Sequence, residues 1–119
     1  MFEDGVPIFQ QLADRVADDV VAGAYPEGTQ VPSTNEFAAF HRINPATAGK
    51  AVNLLVDRGV LHKRRGIGMF VSPGARDLLV RERRDRFVEQ YVRPLLAEAA
   101  VLGLDVPTVL RLVTQEDQP

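Results

Sequence analysis

The sequence predicts a mostly α fold with one small β-ribbon, followed by a helical tail. Three observations carry this prediction. Apolar residues recur at helical spacing in three segments of the first sixty residues, two of which begin at strong capping residues. Between Val60 and Val71 the helical period gives way to two short apolar runs around a glycine-containing, charged tip. From Arg76 onward the pattern is helical again, with an apolar stripe that has no second layer of its own.

The first helix is expected over Ile8 to Ala22. Ile8, Leu12, Val16 and Val20 recur every four residues, with charged Asp14, Arg15, Asp18 and Asp19 between them. Gly23 ends it, and "GAYPEGTQVP" is a turn-rich connector. In "PSTNEFAAFHR", Ser33 and Glu36 have capping-box spacing, so a short helix follows over about Thr34 to Arg42, with Phe37 and Phe40 as its apolar face. Asn44 is an N-cap and Pro45 suits the first helical position, where no N–H is needed; this third helix runs to about Arg58, before Gly59. Two helices joined this closely form a helix-turn-helix. "VLHKRRGIGMFV" then reads as a two-stranded ribbon with Lys63, Arg64 and Arg65 at its tip, closed by Pro73-Gly74.

The tail, from Arg76 to Leu102, would span up to about 40 Å as one helix. Val80, Phe87, Tyr91, Leu95, Ala99 and Leu102 lie along one stripe, and Pro94 must kink or interrupt it. After Gly103 a last short helix starts, with Asp105 as N-cap and Pro107 near its beginning. The domain reading is residues 1–74 as a winged helix-turn-helix and 75–119 as a helical dimerisation tail. The 119 residues suffice for one domain with such an appendage.

Composition removes several function classes. With no cysteine there are no disulfides, thiolate nucleophiles or thiolate metal sites. His41 and His62 are the only histidines, and neither belongs to an H-E-x-x-H pair. Phosphate-loop and nucleophile-elbow patterns are absent too, so the chain is not read as an enzyme, and no cofactor is expected. No apolar run approaches the roughly 18 residues of a membrane span, and the N-terminus lacks a signal-peptide pattern; a cytoplasmic location is expected. The formal net charge is −2, yet Arg42 to Gly66 holds six basic residues against one acid, while the first 41 residues hold one arginine against seven acids. Such asymmetry suits a polyanion, although a basic patch alone is also an ordinary solvated surface.

The third helix sharpens the choice. At 100° per residue, Ala48, Ala51, Val52 and Leu55 face the core, while Ala46, Gly49, Lys50 and Asn53 face outward, flanked by Asn44 and Thr47. A small, polar, singly basic face is what a helix needs in the DNA major groove, only about 12 Å wide. Its first turn would meet the bases, and its free N–H groups suit a phosphate. Lys50 would reach a guanine edge or phosphate, Asn53 an adenine or phosphate, Thr47 a phosphate or a thymine methyl, and Ala46 a thymine methyl. Close helix–helix packing would also explain the small residues, but not Lys50 and Asn53 on the same face. The ribbon tip, Lys63 to Gly66, would add contacts to the backbone or adjacent minor groove, as the wing of a winged helix.

Residues 7 to 71 resemble the DNA-binding domain of the GntR family of bacterial transcription regulators. The pieces are "PIFQQLADRV", "GAYPEGTQVPS", "INPATAGKA" and "RRGIGMFV". Asn44-Pro45 and the tail segment "FVEQYVRPLLAEAAVLGLDVPTVLRLV" are similar to the short YtrA-like branch. The resemblance implies a homodimer bound to a palindromic or pseudo-palindromic double-stranded DNA operator, usually as a repressor, with transporter genes as the family's habitual targets. It carries DNA contact onto Ser33, Thr47, Lys50, Arg65 and Gly66; Thr34 and Asn35 adjoin Ser33 in the same turn. Two departures stand out: Asn35 where the family generally has arginine, and Met69 where it often has threonine.

Many family members add a metabolite-binding domain of over a hundred residues, whereas about 45 residues follow this wing, too few for such a core. The stripe of Val80, Phe87, Tyr91, Leu95 and Leu102 would instead pair with a second subunit and set two recognition helices about 34 Å apart. Folding of the tail back onto its own domain is the alternative. A small-molecule effector between wing domain and tail would change the half-site spacing; no residues in the sequence identify its site. The rival function is a winged helix used for protein–protein contact, which the acidic total and Asn35 favour and the basic cluster on the recognition elements opposes.

Overall fold

The computed structural model describes residues 2–118 of the chain. The element order is α1 (Ile8–Ala22), α2 (Thr34–His41), α3 (Pro45–Asp57), β1 (Leu61–Arg64), β2 (Gly68–Val71), α4 (Ala75–Phe87), a π-helical turn (Val88–Val92), α5 (Arg93–Val101) and α6 (Val106–Glu116). These elements group into two compact units that divide between Arg81 and Glu82, within α4. Among the described residues no helix is long and apolar enough to cross a membrane.

The first unit is organised around α3, which packs against α1, α2 and β1. The inward face read from the sequence is the buried one: Ala48, Ala51, Val52 and Leu55 join Leu12, Val16 and Val20 of α1 and Phe37 of α2 in one core. Ala75 and Leu79 are buried in that core as well, which ties the first turns of α4 to this unit. Two expected apolar contacts are corrected. Phe40 does not share the apolar face of Phe37 but is 83% exposed, because α2 ends at His41 and Arg42 turns the chain through a left-handed C-cap (φ 56°, ψ 50°). Ile8 stands exposed at the head of the α1 stripe, one turn beyond the buried Leu12.

Both capping expectations hold in atomic detail. Ser33 Oγ accepts from the Glu36 N–H at 3.1 Å while Glu36 Oε1 accepts from the Ser33 N–H at 2.9 Å, a reciprocal capping box. The Ser33 N–H, and after it the Ser33 side chain, hold the Glu36 carboxyl below its ordinary pKa. Asn44 Oδ1 accepts from the Ala46 N–H at 2.8 Å at the head of α3.

β1 and β2 form an antiparallel ribbon in which Leu61 pairs with Val71 and Arg64 with Gly68. A third segment supports it: Val71 N–H donates to Thr29 O, and Val31 N–H to Met69 O, both at 2.9 Å. Residues 29–31 therefore line the free edge of β2 and brace the ribbon against the connector before α2.

In the second unit the expected interruption at Pro94 takes a specific form. Pro94 lies in the first turn of α5, and the turn before it, Val88–Val92, is π-helical. A proline removes one backbone donor and crowds the carbonyl four residues earlier; the wider turn relieves that crowding while the helix continues. Asp105 caps α6, its Oδ1 accepting from the Thr108 N–H at 3.0 Å. Ala99, expected on the outward stripe, is instead buried within this unit, as is Val109 of α6.

Candidate nucleic-acid interface

α2 and α3 are joined by three residues, Arg42, Ile43 and Asn44, and α3 presents its first two turns outward. Asn44, Ala46, Lys50 and Asn53 are exposed; Thr47 and Gly49 are half-buried. A Cβ added at Gly49 would lie 3.6 Å from Thr34 Cγ2. The glycine therefore lies beside Thr34 of α2, where a Cβ would make ordinary van der Waals contact, whereas Ala46, Lys50 and Asn53 are exposed.

From α2, Ser33 and Asn35 are exposed and Thr34 is half-buried. Ser33 Oγ is engaged in the capping box, where it accepts from the Glu36 N–H. Asn44 likewise spends its carbonyl oxygen on the cap and keeps its amide NH2 as a donor.

Lys50 projects from the exposed face, with Nζ 4.6 Å from the centroid of the Phe9 ring on α1. Sequence reasoning missed this partner, because nothing in a pattern of local periodicities relates Phe9 to a lysine forty-one residues away. An exposed cation–π contact is worth about 0.5–1 kcal/mol. A good lysine contact to a guanine edge is worth about 1–3 kcal/mol. The ring thus holds the ammonium only weakly.

On the wing, Lys63, Arg64, Arg65 and Gly66 are all exposed. The Arg64 guanidinium lies over the Phe70 ring at 4.2 Å, so it runs along the ribbon and leaves Lys63 and Arg65 more freely displayed. Ile67 N–H donates to Arg64 O at 2.9 Å to close the tip turn, and Gly66 takes the positive φ (76°) that this turn requires. Gln30 also reaches the wing, its Nε2 donating to Ile67 O at 3.1 Å. A Cβ at Gly68 would come within 2.5 Å of that amide. Gln30 is a second residue absent from the sequence reading; its role depends on tertiary pairing.

Of the residues expected at a subunit contact, Phe87, Tyr91, Leu95 and Leu102 are exposed in the second unit. Val80 is also exposed, on the part of α4 that belongs to the first unit. Leu96, Val101, Val106, Leu110 and Val113 are exposed too and were not singled out. The i, i+4, i+7 spacing of Val106, Leu110 and Val113 was a sufficient signal for the last three.

The comparison with known proteins agrees with this geometry. The model of the family described as bacterial regulatory proteins, gntR family, matches residues 8–71, from the start of α1 to the end of β2. The HTH-type transcriptional repressor YtrA of Bacillus subtilis (strain 168) is 27% identical over 100 residues, covering 84% of this chain and 76% of that protein. The crystal structure of a putative transcriptional regulator of the GntR family from Bacteroides thetaiotaomicron is 30% identical, with a TM-score of 0.74 over 91% of this chain and 94% of that one. A transcriptional regulator from Oenococcus oeni shares the fold, with a TM-score of 0.80 at 24% identity over 97% of this chain and 94% of that one. A helix-turn-helix braced by a wing, matched by the family model across every one of its elements, makes this chain a member of the gntR family of bacterial regulatory proteins, a DNA-binding regulator of transcription.

Proposed function

We propose that the protein acts as a homodimer that binds a two-fold symmetric operator and represses transcription. The observation that carries the DNA contact is the outward face of α3, where Ala46, Lys50 and Asn53 are exposed and no bulky side chain stands in the way of a base edge. Asn44 and Thr47 flank this face, Ser33, Thr34 and Asn35 approach it from α2, and Lys63 to Gly66 engage the backbone or minor groove. The dimer is supported by the exposed apolar side chains of α4, the π turn, α5 and α6. Repression is supported by the name of the related YtrA.

Selection of the purified protein on a random duplex pool at two salt concentrations tests this reading. The expected product is an inverted repeat whose binding weakens steeply with salt, since each phosphate neutralised releases a counterion. Enrichment of no sequence would leave the protein-binding winged helix as the better account. On the selected site, Lys50→Ala is expected to cost about 1–3 kcal/mol, and more selectively at one base pair if the contact is to a base. Equal affinity of wild type and variant would remove Lys50 from the interface.

A further inference from the structure

Gln30 belongs to the connector before α2, but its backbone and its side chain both meet the wing. It forms an antiparallel bridge with Phe70, flanked by the hydrogen bonds that join Thr29 and Val31 to β2. Its side chain extends to the tip turn, where Nε2 donates to Ile67 O at 3.1 Å.

The tip gains from such a support. Ile67 lies between Gly66 and Gly68, both at positive φ (76° and 148°), and glycine backbones have the widest conformational freedom. A two-stranded ribbon is also marginal in water by itself. Inside the ribbon, Ile67 N–H is held by Arg64 O. Ile67 O is held by a side chain thirty-seven positions earlier. The space matches this pairing. A Cβ at Gly68 would lie 2.5 Å from Gln30 Nε2 and 3.4 Å from its Cδ, so the amide rests where any other residue at 68 would push it aside.

What the tip carries is positive charge. Lys63 and Arg65 are exposed there. Arg64, paired with Gly68, lies over Phe70, the residue that Gln30 bridges. A tip that wanders must be ordered when it docks, and that cost is subtracted from affinity. The supporting segment also runs on, through Val31 and Pro32, to Ser33, the N-cap of α2. One short stretch of chain thus supports the wing and starts α2.

We propose that Gln30 is a positioning residue for DNA binding: its amide fixes the wing tip through the Ile67 carbonyl, so that Lys63 and Arg65 meet the phosphate backbone already ordered. Gln30 acts through the tip and not by touching DNA. The inference rests on the DNA contact proposed above.

The test uses the full chain and its selected operator. Gln30→Met keeps the length of the side chain and removes the donor. Without DNA, ¹⁵N relaxation should show lower order parameters at Arg65, Gly66 and Ile67 in the variant, with the α3 amides and the thermal midpoint unchanged. Operator affinity should fall roughly threefold to tenfold for each wing bound, the worth of one hydrogen bond. The slope of log affinity against log salt should become shallower, since fewer phosphates are neutralised. In a Lys63→Ala, Arg65→Ala background, Gln30→Met should cost almost nothing, because the charges it positions are gone. A lowered thermal midpoint, or an equal cost in both backgrounds, would mark a general effect on the fold and overturn the proposal. Unchanged tip motion in Gln30→Met would overturn it too. A wild-type chain that binds no duplex would remove the DNA reading, and this proposal with it. A wild-type chain that binds, with Gln30→Met its equal in affinity and salt slope, would remove this proposal alone.

Discussion

Phe87→Asp is expected to convert the protein to a folded monomer. Phe87 is 56% exposed and Tyr91 63% exposed, with ring centroids 5.7 Å apart. In a single chain these rings support little of the fold, so replacing one should leave the circular dichroism spectrum unchanged. In a two-fold interface every substitution counts twice. Withdrawing two buried phenyl rings, at about 1.5–3 kcal/mol each, and inserting two carboxylates should raise the dimer dissociation constant by about a thousandfold or more. Operator affinity should fall on the order of 100-fold, because each half-site would then be bound without help from the other. Sedimentation velocity checks the first expectation and titration of the selected operator the second. An unchanged sedimentation coefficient would show that the tail's exposed rings serve another partner.

Leu55→Ala is expected to destabilise the first unit by about 2–5 kcal/mol. Leu55 is fully buried in the core, on the helix that packs on α1, α2 and β1, so its loss opens a cavity in that core. A single domain has about 5–15 kcal/mol in total, so the urea midpoint should drop visibly and DNA binding should weaken at elevated temperature. A loss below about 1 kcal/mol would mean that the core relaxes around the site more readily than its packing suggests.

The elements that the sequence made legible are those specified locally. Ser33-Glu36 and Asn44-Pro45 announced two helix starts through hydrogen bonds made within three residues. The core face of α3 followed from its period alone. The failures lie where distant segments decide. Phe40 has the spacing of a core residue, yet α2 is only eight residues long and ends before Phe40 can be covered. Lys50 faces outward as expected, but its resting partner Phe9 comes from another helix. Gln30 and Thr29 brace the wing through pairing that no two-residue or four-residue period encodes. Ala99 carried the spacing of the outward stripe but is buried in the second unit, as is Val109 of α6.

The π turn at Val88–Val92 sets a phase as well as easing a proline into the helix. A π turn closes its hydrogen bonds from residue i to i+5 and so takes in one residue more than the α turn it replaces. Each residue of an α-helix advances the azimuth by about 100°. A chain one residue shorter here, with a plain α turn in its place, would therefore keep Leu95, Leu96 and Leu102 on nearly the same side relative to Phe87. The same loss inside an uninterrupted α-helix would swing every later side chain by about 100°. The turn thus acts as a slack joint: it absorbs one residue and keeps the apolar side chains on its two sides in phase.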